Sequence, residues 1–197
     1  MVYIVGKKQR DIPSRLTVIR GGIQCEMAFG PVRIVAAPEN KPPFDVDAIA
    51  YEEDTWLIMS ADPKICQPEE HPIRLMTDLI NAQPETVGSV RVQGGNPLRF
   101  LAVVHDVNQE PTWKVEWIEK ALDAIFREAE RRELKAVAVP MLGSRHGRLD
   151  QKEFTALVGR SLKQRSFVHL KRLWLIAPSK AGASQEILGS LKAILDA

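Results

Sequence analysis

The sequence predicts an α/β protein built on a mixed β-sheet, and three observations indicate this. Apolar, β-branched runs of strand length alternate with helical patterns in the second half of the chain. Loops that contain glycine and proline separate these runs. The first 45 residues hold only short strand patterns, as is typical of antiparallel strands added to a sheet edge. We therefore expect an N-terminal β extension over residues 1–45 and an α/β domain over residues 46–197.

The composition limits the classes of protein that this chain can belong to. Its 197 residues, 45% of them hydrophobic, are enough to bury the core of one large domain. Because 27 basic residues nearly balance 25 acidic ones, the net charge of +2 does not indicate a nucleic-acid partner. Cys25 and Cys66 lack the spacing of a metal or redox site, and no apolar run is long enough to span a bilayer. We expect a reduced cytoplasmic protein without metal, cofactor or membrane.

Four short strand patterns occupy the N-terminal extension. Gly21-Gly22 is typical of a two-residue hairpin turn between two of them. The segment is basic, which is more typical of a solvated sheet edge protected by charge than of a binding site. Pro38 to Pro43 then predicts a linker or a rigid loop. The predicted strands cover residues 2–5, 16–19, 23–27 and 32–36.

Two further strands are predicted at residues 47–51 and 55–59, separated by an acidic turn from Glu52 to Asp54. Consecutive carboxylates in a turn splay apart, so the pattern favours a solvated turn over a metal site. A helix is predicted to begin at Pro72, because proline fits the first helical turn. His71, just before it, is expected to start this helix rather than to bind a ligand.

Strands at residues 87–92 and 99–105 come next, and the second is continuously apolar, which predicts a central strand. His105 and Asp106 stand at its carboxyl end. Because they are adjacent, their side chains leave a strand on opposite faces and do not form a simple catalytic pair. His105 is expected either to line a pocket or to be a structural imidazole. A long amphipathic helix is predicted at residues 113–132.

A strand, a glycine loop and a helix are predicted in succession between residues 136 and 151. Residues 136–139 form an apolar run that fits a strand buried on both faces. Gly143 and Gly147 allow the main chain to come close to a ligand. Asp150, with Glu153 three positions later, is typical of a capping box that begins a helix.

The glycine loop is the predicted binding element. In a strand–loop–helix unit the free amides of the loop and of the first helical turn point together and suit a phosphate. We therefore expect the main-chain amides near Ser144 to be exposed, convergent and unpaired. Arg145 and Arg148 would add positive charge. Two glycines are also typical of an ordinary connection from strand to helix, and both interpretations are left open.

The last elements are a buried strand at residues 172–177 and a closing helix capped by Ser184. Right-handed crossovers place the carboxyl ends of the last three buried strands at one edge of the sheet. His105, the glycine loop and either Ser179 or Lys180 would then face one crevice.

Three segments resemble the macrodomain family, whose members bind ADP-ribose and its relatives. Residues 140–147, Pro-Met-Leu-Gly-Ser-Arg-His-Gly, resemble the family's Pro-x-Leu-Gly-Thr-Gly loop. Residues 99–105 resemble its strand that ends in a histidine, and residues 46–49 are similar to its Val-Asp-Ala-Ile strand. The order and spacing extend the resemblance from Val46 to the C-terminus. It implies a three-layer α/β/α fold with a mixed sheet. The residues predicted to bind the ligand are His105, Leu142, Gly143, Ser144, Arg145, His146 and Gly147.

The sequence also departs from the family pattern. Residues 50–53, Ala-Tyr-Glu-Glu, stand where the family has Asn-Ala-Ala-Asn, whose asparagine helps to hold the distal ribose. The family's run of three glycines has no counterpart between Asp54 and Met76, and Arg145 replaces a loop glycine. The ADP-ribosyl hydrolases of the family work from the two missing segments. We therefore do not expect a typical hydrolase, which would have to use His146 or Asp106 to activate water.

Three functions remain open. The first is binding of ADP-ribose or a related nucleotide or phosphate ester through residues 136–151. The second is hydrolysis of an ADP-ribosyl group or a phosphoester. The third is a degenerate fold that acts in assembly or in contact with a protein or RNA. A deep polar crevice beside Ser144 would favour the first, and a contiguous exposed apolar patch the third. The sequence leaves a homodimer open and does not favour nucleic acid as a partner.

Overall fold

The computed structural model describes residues 17–19, 22–59, 83–144 and 147–197. The strands are β1 (Thr17–Ile19), β2 (Gly22–Phe29), β3 (Val32–Pro38), β4 (Ala48–Asp54), β5 (Val90–Gln93), β6 (Leu98–His105), β7 (Ala136–Pro140) and β8 (Arg172–Ala177). The helices are α1 (Val115–Arg131), α2 (Gln151–Lys163) and α3 (Ala183–Asp196). The predicted strand at residues 2–5 and the helix predicted to begin at Pro72 lie outside the described residues.

Within the described residues, the strands form one 8-stranded sheet in the order β1-β2-β3-β8-β7-β4-β6-β5. The pairs β3–β8, β8–β7, β7–β4 and β4–β6 are parallel. The pairs β1–β2, β2–β3 and β5–β6 are antiparallel. This arrangement confirms the predicted mixed sheet. It also brings the carboxyl ends of β4, β6, β7 and β8 to one edge, where ligands of α/β sheets commonly bind.

The core lies on both faces of the sheet, as strand alternation requires. All three described helices pack on one face, where their buried stripes meet residues such as Ile34, Phe100 and Val104. Each large apolar side chain buried in this layer contributes about 1.5–3 kcal/mol. The opposite face holds a smaller cluster that includes Val35 and Trp174.

The N-terminal strands extend this same sheet. The strands predicted at residues 16–19, 23–27 and 32–36 correspond to β1, β2 and β3, although Leu16 lies outside the described residues. β3 lies between β2 and β8, and it contributes Val32, Ile34 and Ala36 to the main core. The N-terminal segment is therefore part of the sheet and of its core.

The predicted acidic turn was wrong. Residues 52–54 are the end of β4, and the side chains of Glu53 and Asp54 are buried. The strand predicted at residues 55–59 is a turn in which Leu57 has a φ of 58°. Asp54 explains both differences, because its carboxylate accepts main-chain hydrogen bonds from Trp56 (2.6 Å), Ile58 (3.2 Å) and Met59 (3.1 Å). These bonds satisfy a buried charge and fold the chain back on itself.

Two other local predictions differ from the structure. The predicted cap Ser184 lies inside α3, whose N-cap is Gly182 in the left-handed region with a φ of 85°. The strand predicted at residues 87–92 begins only at Val90.

None of the described helices is long and apolar enough to cross a membrane.

A carboxylate on α1 holds the loop that leads into β8. Glu130 accepts main-chain hydrogen bonds from Val168 (2.9 Å), His169 (3.1 Å) and Leu170 (2.8 Å). Burial raises the pKa of the Glu130 carboxyl, but the three amides outweigh burial and lower the pKa below its ordinary value. The ionised form therefore stabilises the fold.

Replacing Glu130 by glutamine should destabilise the protein by about 1–2 kcal/mol at neutral pH, because charged acceptors bind amides more strongly than neutral ones. A depressed pKa contributes stability that is present above the ordinary glutamate pKa of about 4.3 and is lost as the pH falls through the lower folded value. Urea unfolding at several pH values should therefore show the difference shrinking below about pH 4. The same change at exposed Glu39 is the control, and a pH-independent difference would contradict this role.

Candidate functional site

The predicted binding element lies at the carboxyl edge of the sheet. β7 ends at Pro140, and the chain then forms the glycine loop, defined here as residues 141–150, before α2 begins. The Asp150 carboxylate accepts the amide of Glu153 at 2.7 Å, which confirms the predicted helix cap. Arg145 and His146 lie outside the described residues.

Three consecutive amides of this loop, those of residues 142–144, are paired, contrary to expectation. The Leu142 amide donates to the Pro140 carbonyl (2.8 Å), and the Ser144 amide donates to the Met141 carbonyl (3.2 Å). The Gly143 amide donates to a side chain, the Oε2 atom of Glu52, at 2.9 Å. At these three positions the expectation of unpaired donors was therefore wrong. One of them, Gly143, nevertheless binds an oxyanion.

Glu52 links the loop to the neighbouring strand β6. Its second carboxylate oxygen, Oε1, lies 2.5 Å from Nε2 of His105. Both side chains are enclosed, with exposures of 9% for Glu52 and 4% for His105. Among the described residues, no group of three or more His, Cys, Asp or Glu side chains is arranged to hold a metal ion.

Sequence reasoning missed Glu52 as a site residue. It stands on β4 just after the Val-Asp-Ala-Ile motif, at a place where the chain departs from the macrodomain pattern. This departure from the family pattern at residues 50–53 was the feature of the sequence that could have identified Glu52. β4 pairs with both β6 and β7, so an acidic side chain at its carboxyl end can contact both neighbouring strands or their loops.

The two glycines of the loop are required by backbone conformation at Gly143 and by packing at Gly147. Gly143 has a φ of 77°, and a β-carbon there would overlap the Cδ1 atom of Ile118. A β-carbon on Gly147 would overlap the carbonyl oxygen of Gly143 and lie 3.0 Å from two ring atoms of Trp113. This supports the structural interpretation of these glycines, which the sequence left open.

The remaining predicted residues lie in different surroundings. The Leu142 side chain is fully buried in the core, whereas Ser144 and Arg148 are exposed on the loop. The Ser144 hydroxyl donates to the Met141 carbonyl at 2.5 Å. Ser179 and Lys180 are exposed beyond the end of β8.

Asp106 is engaged in its own loop. Its carboxylate oxygens accept the Asn108 amide (3.0 Å) and the Gln109 side-chain amide (2.7 Å). These contacts give no support to Asp106 as the group that activates water.

Apolar side chains are exposed near the same edge. Trp56 (37% exposed) and Ile58 (62%) follow β4, and Val107 (59%) follows β6. The two loops are connected, because the Thr55 amide donates to the His105 carbonyl at 3.0 Å.

Comparisons with known proteins give matches in structure only. No protein-family model and no curated protein matches the sequence. A mutant of the Oceanobacillus iheyensis macrodomain with ADPR is similar at a TM-score of 0.63 and 12% identity, over 88% of this chain and 100% of that chain. The same macrodomain with ADP gives 0.63 and 14%, over 86% and 97%. The macrodomain of Thermus aquaticus DarG gives 0.52 and 16%, over 74% and 98%. At these identities the likeness concerns the fold.

Proposed function

The chain has the macrodomain fold, and from this premise we propose that it binds ADP-ribose or a related nucleotide or phosphate ester. The ligand would lie at the carboxyl edge of β4, β6 and β7, against the glycine loop. The residues proposed to contact it are His105, Gly143, Ser144, Arg145, His146 and Gly147. Leu142 holds the loop from within the core.

One observation carries this proposal: the Gly143 amide binds a carboxylate at 2.9 Å. Carboxylate and phosphate oxygens are alike in accepting hydrogen bonds from main-chain donors at such a loop. Exposed Arg148 adds a positive charge on the same loop. The Oceanobacillus macrodomain with ADPR has the same fold, which supports this ligand class.

The proposed affinity is modest. The amides of Leu142 and Ser144 donate to carbonyl groups, so they do not add to the anion site. A ligand would also meet the carboxylate of Glu52 at the amide of Gly143. We expect a dissociation constant of about 0.1–1 mM, which corresponds to a binding free energy of roughly −4 to −5.5 kcal/mol.

A thermal-shift and calorimetric screen with ADP-ribose, ADP, NAD and inorganic phosphate tests this function. A ligand at about a hundredfold excess over its dissociation constant stabilises the fold by roughly 2.7 kcal/mol, or about 5–10 °C in Tm. Arg148→Gln should reduce the shift, because the loop loses a charge. Arg127→Gln, on the exposed face of α1, is the matched control. A folded wild-type protein that responds to none of the four ligands would overturn the proposal.

A second candidate is contact with a protein partner. It is favoured by the exposed side chains of Trp56, Ile58 and Val107, because large apolar groups near one edge are typical of interaction surfaces. The ligand screen separates the two candidates. Absence of any nucleotide response would leave the protein-contact function as the better account of this edge.

A further inference from the structure

The Gly143 amide and the His105 ring together form a two-donor anion site, and Glu52 fills it from within the chain. We propose that Glu52 is a resident anion of this site, which the oxyanion of a ligand must displace. The competition with ligand rests on the proposed function above, whereas the anion site itself does not. Glu52 would thereby decide which ligands bind and how tightly.

The first argument is geometric. Three separate elements meet at the Glu52 carboxylate: β4 carries it, β6 ends in His105, and the glycine loop supplies the Gly143 amide. The Gly143 nitrogen at 2.9 Å and His105 Nε2 at 2.5 Å both lie within hydrogen-bonding distance of the carboxylate. With Glu52 ionised, His105 Nε2 carries the hydrogen that lies between them. The two donors therefore bind different oxygen atoms of the Glu52 carboxylate.

The second argument concerns what could replace Glu52. Both donors lie in enclosed surroundings, where a donor without an acceptor is unfavourable. If the Glu52 side chain turns away, another acceptor must take its place at both donors. A carboxylate or a phosphate does this, because its oxygens can accept from the two donors together. A neutral nucleoside offers no such oxyanion, so it should not displace Glu52.

Formate tests the anion site without any nucleotide. Glu52→Ala removes the resident carboxylate and should lower the Tm by about 5 °C or more, since two donors lose their acceptor. Sodium formate at about 0.1 M should then recover a clear part of that loss, relative to sodium chloride at equal ionic strength. Glu39→Ala is the matched control, because it removes the same charge from an exposed position. No recovery in folded Glu52→Ala overturns the site.

ADP-ribose tests the competition. Glu52→Gln keeps the shape of the side chain but removes its charge, so it should hold the two donors less strongly and bind ADP-ribose about tenfold tighter than wild type. This variant also serves if Glu52→Ala does not fold. Wild-type binding with equal or weaker binding by Glu52→Gln would overturn the competition. Recovery by formate without binding of ADP-ribose, ADP, NAD or inorganic phosphate by either protein would overturn the proposed function and leave the anion site in place.

Discussion

Replacing Gly147 by valine is expected to destabilise the fold by about 3 kcal/mol or more, the upper end of what overpacking causes. The new β-carbon would overlap the carbonyl oxygen of Gly143, which is main chain and cannot rotate away as a side chain can. It would also meet the ring of Trp113. The same carbonyl accepts the Leu149 amide at 3.2 Å, so moving it would break that hydrogen bond as well.

Urea unfolding measures this effect, and Gly94 provides the control. A β-carbon on Gly94 would have no neighbouring atom within 4 Å, so Gly94→Ala should change stability by less than about 0.5 kcal/mol. Should Gly147→Val unfold at the same urea concentration as wild type, the packing of the loop described above would be incorrect.

Replacing Asp54 by alanine should have the second large effect, a loss of about 3 kcal/mol. The buried carboxylate of Asp54 accepts the amides of Trp56, Ile58 and Met59. Alanine removes this acceptor from Trp56 and Ile58, whereas the Met59 amide keeps the Glu53 carboxylate at 3.1 Å. Water can reach part of the turn, which limits the loss. Thermal and urea unfolding give the free energy of unfolding.

Exposed Asp45 supplies the matched control for this change, because Asp45→Ala removes the same charge from the surface. Its effect should stay within about 0.5 kcal/mol. Equal effects of Asp54→Ala and Asp45→Ala would show that the turn does not depend on its carboxylate.

The elements with a clear hydrophobic pattern could be predicted from the sequence. The apolar runs of β6, β7 and β8 and the amphipathic stripe of α1 are long and unambiguous, so their existence and order were correct. Asp150 was correctly predicted as a cap because capping depends on residues three positions apart. Local chemistry of this kind can be read from a short stretch of sequence.

The end of β4 could not be predicted in the same way. Three consecutive acidic residues have low strand propensity and favour solvent, so the sequence predicted a turn from Glu52 to Asp54. Their partners are distant in sequence or depend on the turn itself: Gly143 and His105 bind Glu52, and the amides after β4 bind Asp54. Tertiary hydrogen bonds therefore override the local preference.

The glycine loop could also be predicted only in part. The sequence correctly marked a glycine-containing connection between β7 and α2. It could not show that Gly143 is held by Glu52, which lies 91 positions away in the chain. Glycine spacing describes what the backbone is able to do, and only the folded neighbours determine which group binds there.

The position of β3 bears on how this chain could be shortened. β3 sits between β2 and β8, so a polypeptide starting at Val46 would leave the backbone groups on one side of β8 without a pairing strand. A bare, apolar edge of that kind is a template for intermolecular pairing. A fragment trimmed to residues 46–197 would thus tend to aggregate, because β3 covers this edge of β8 in the whole chain.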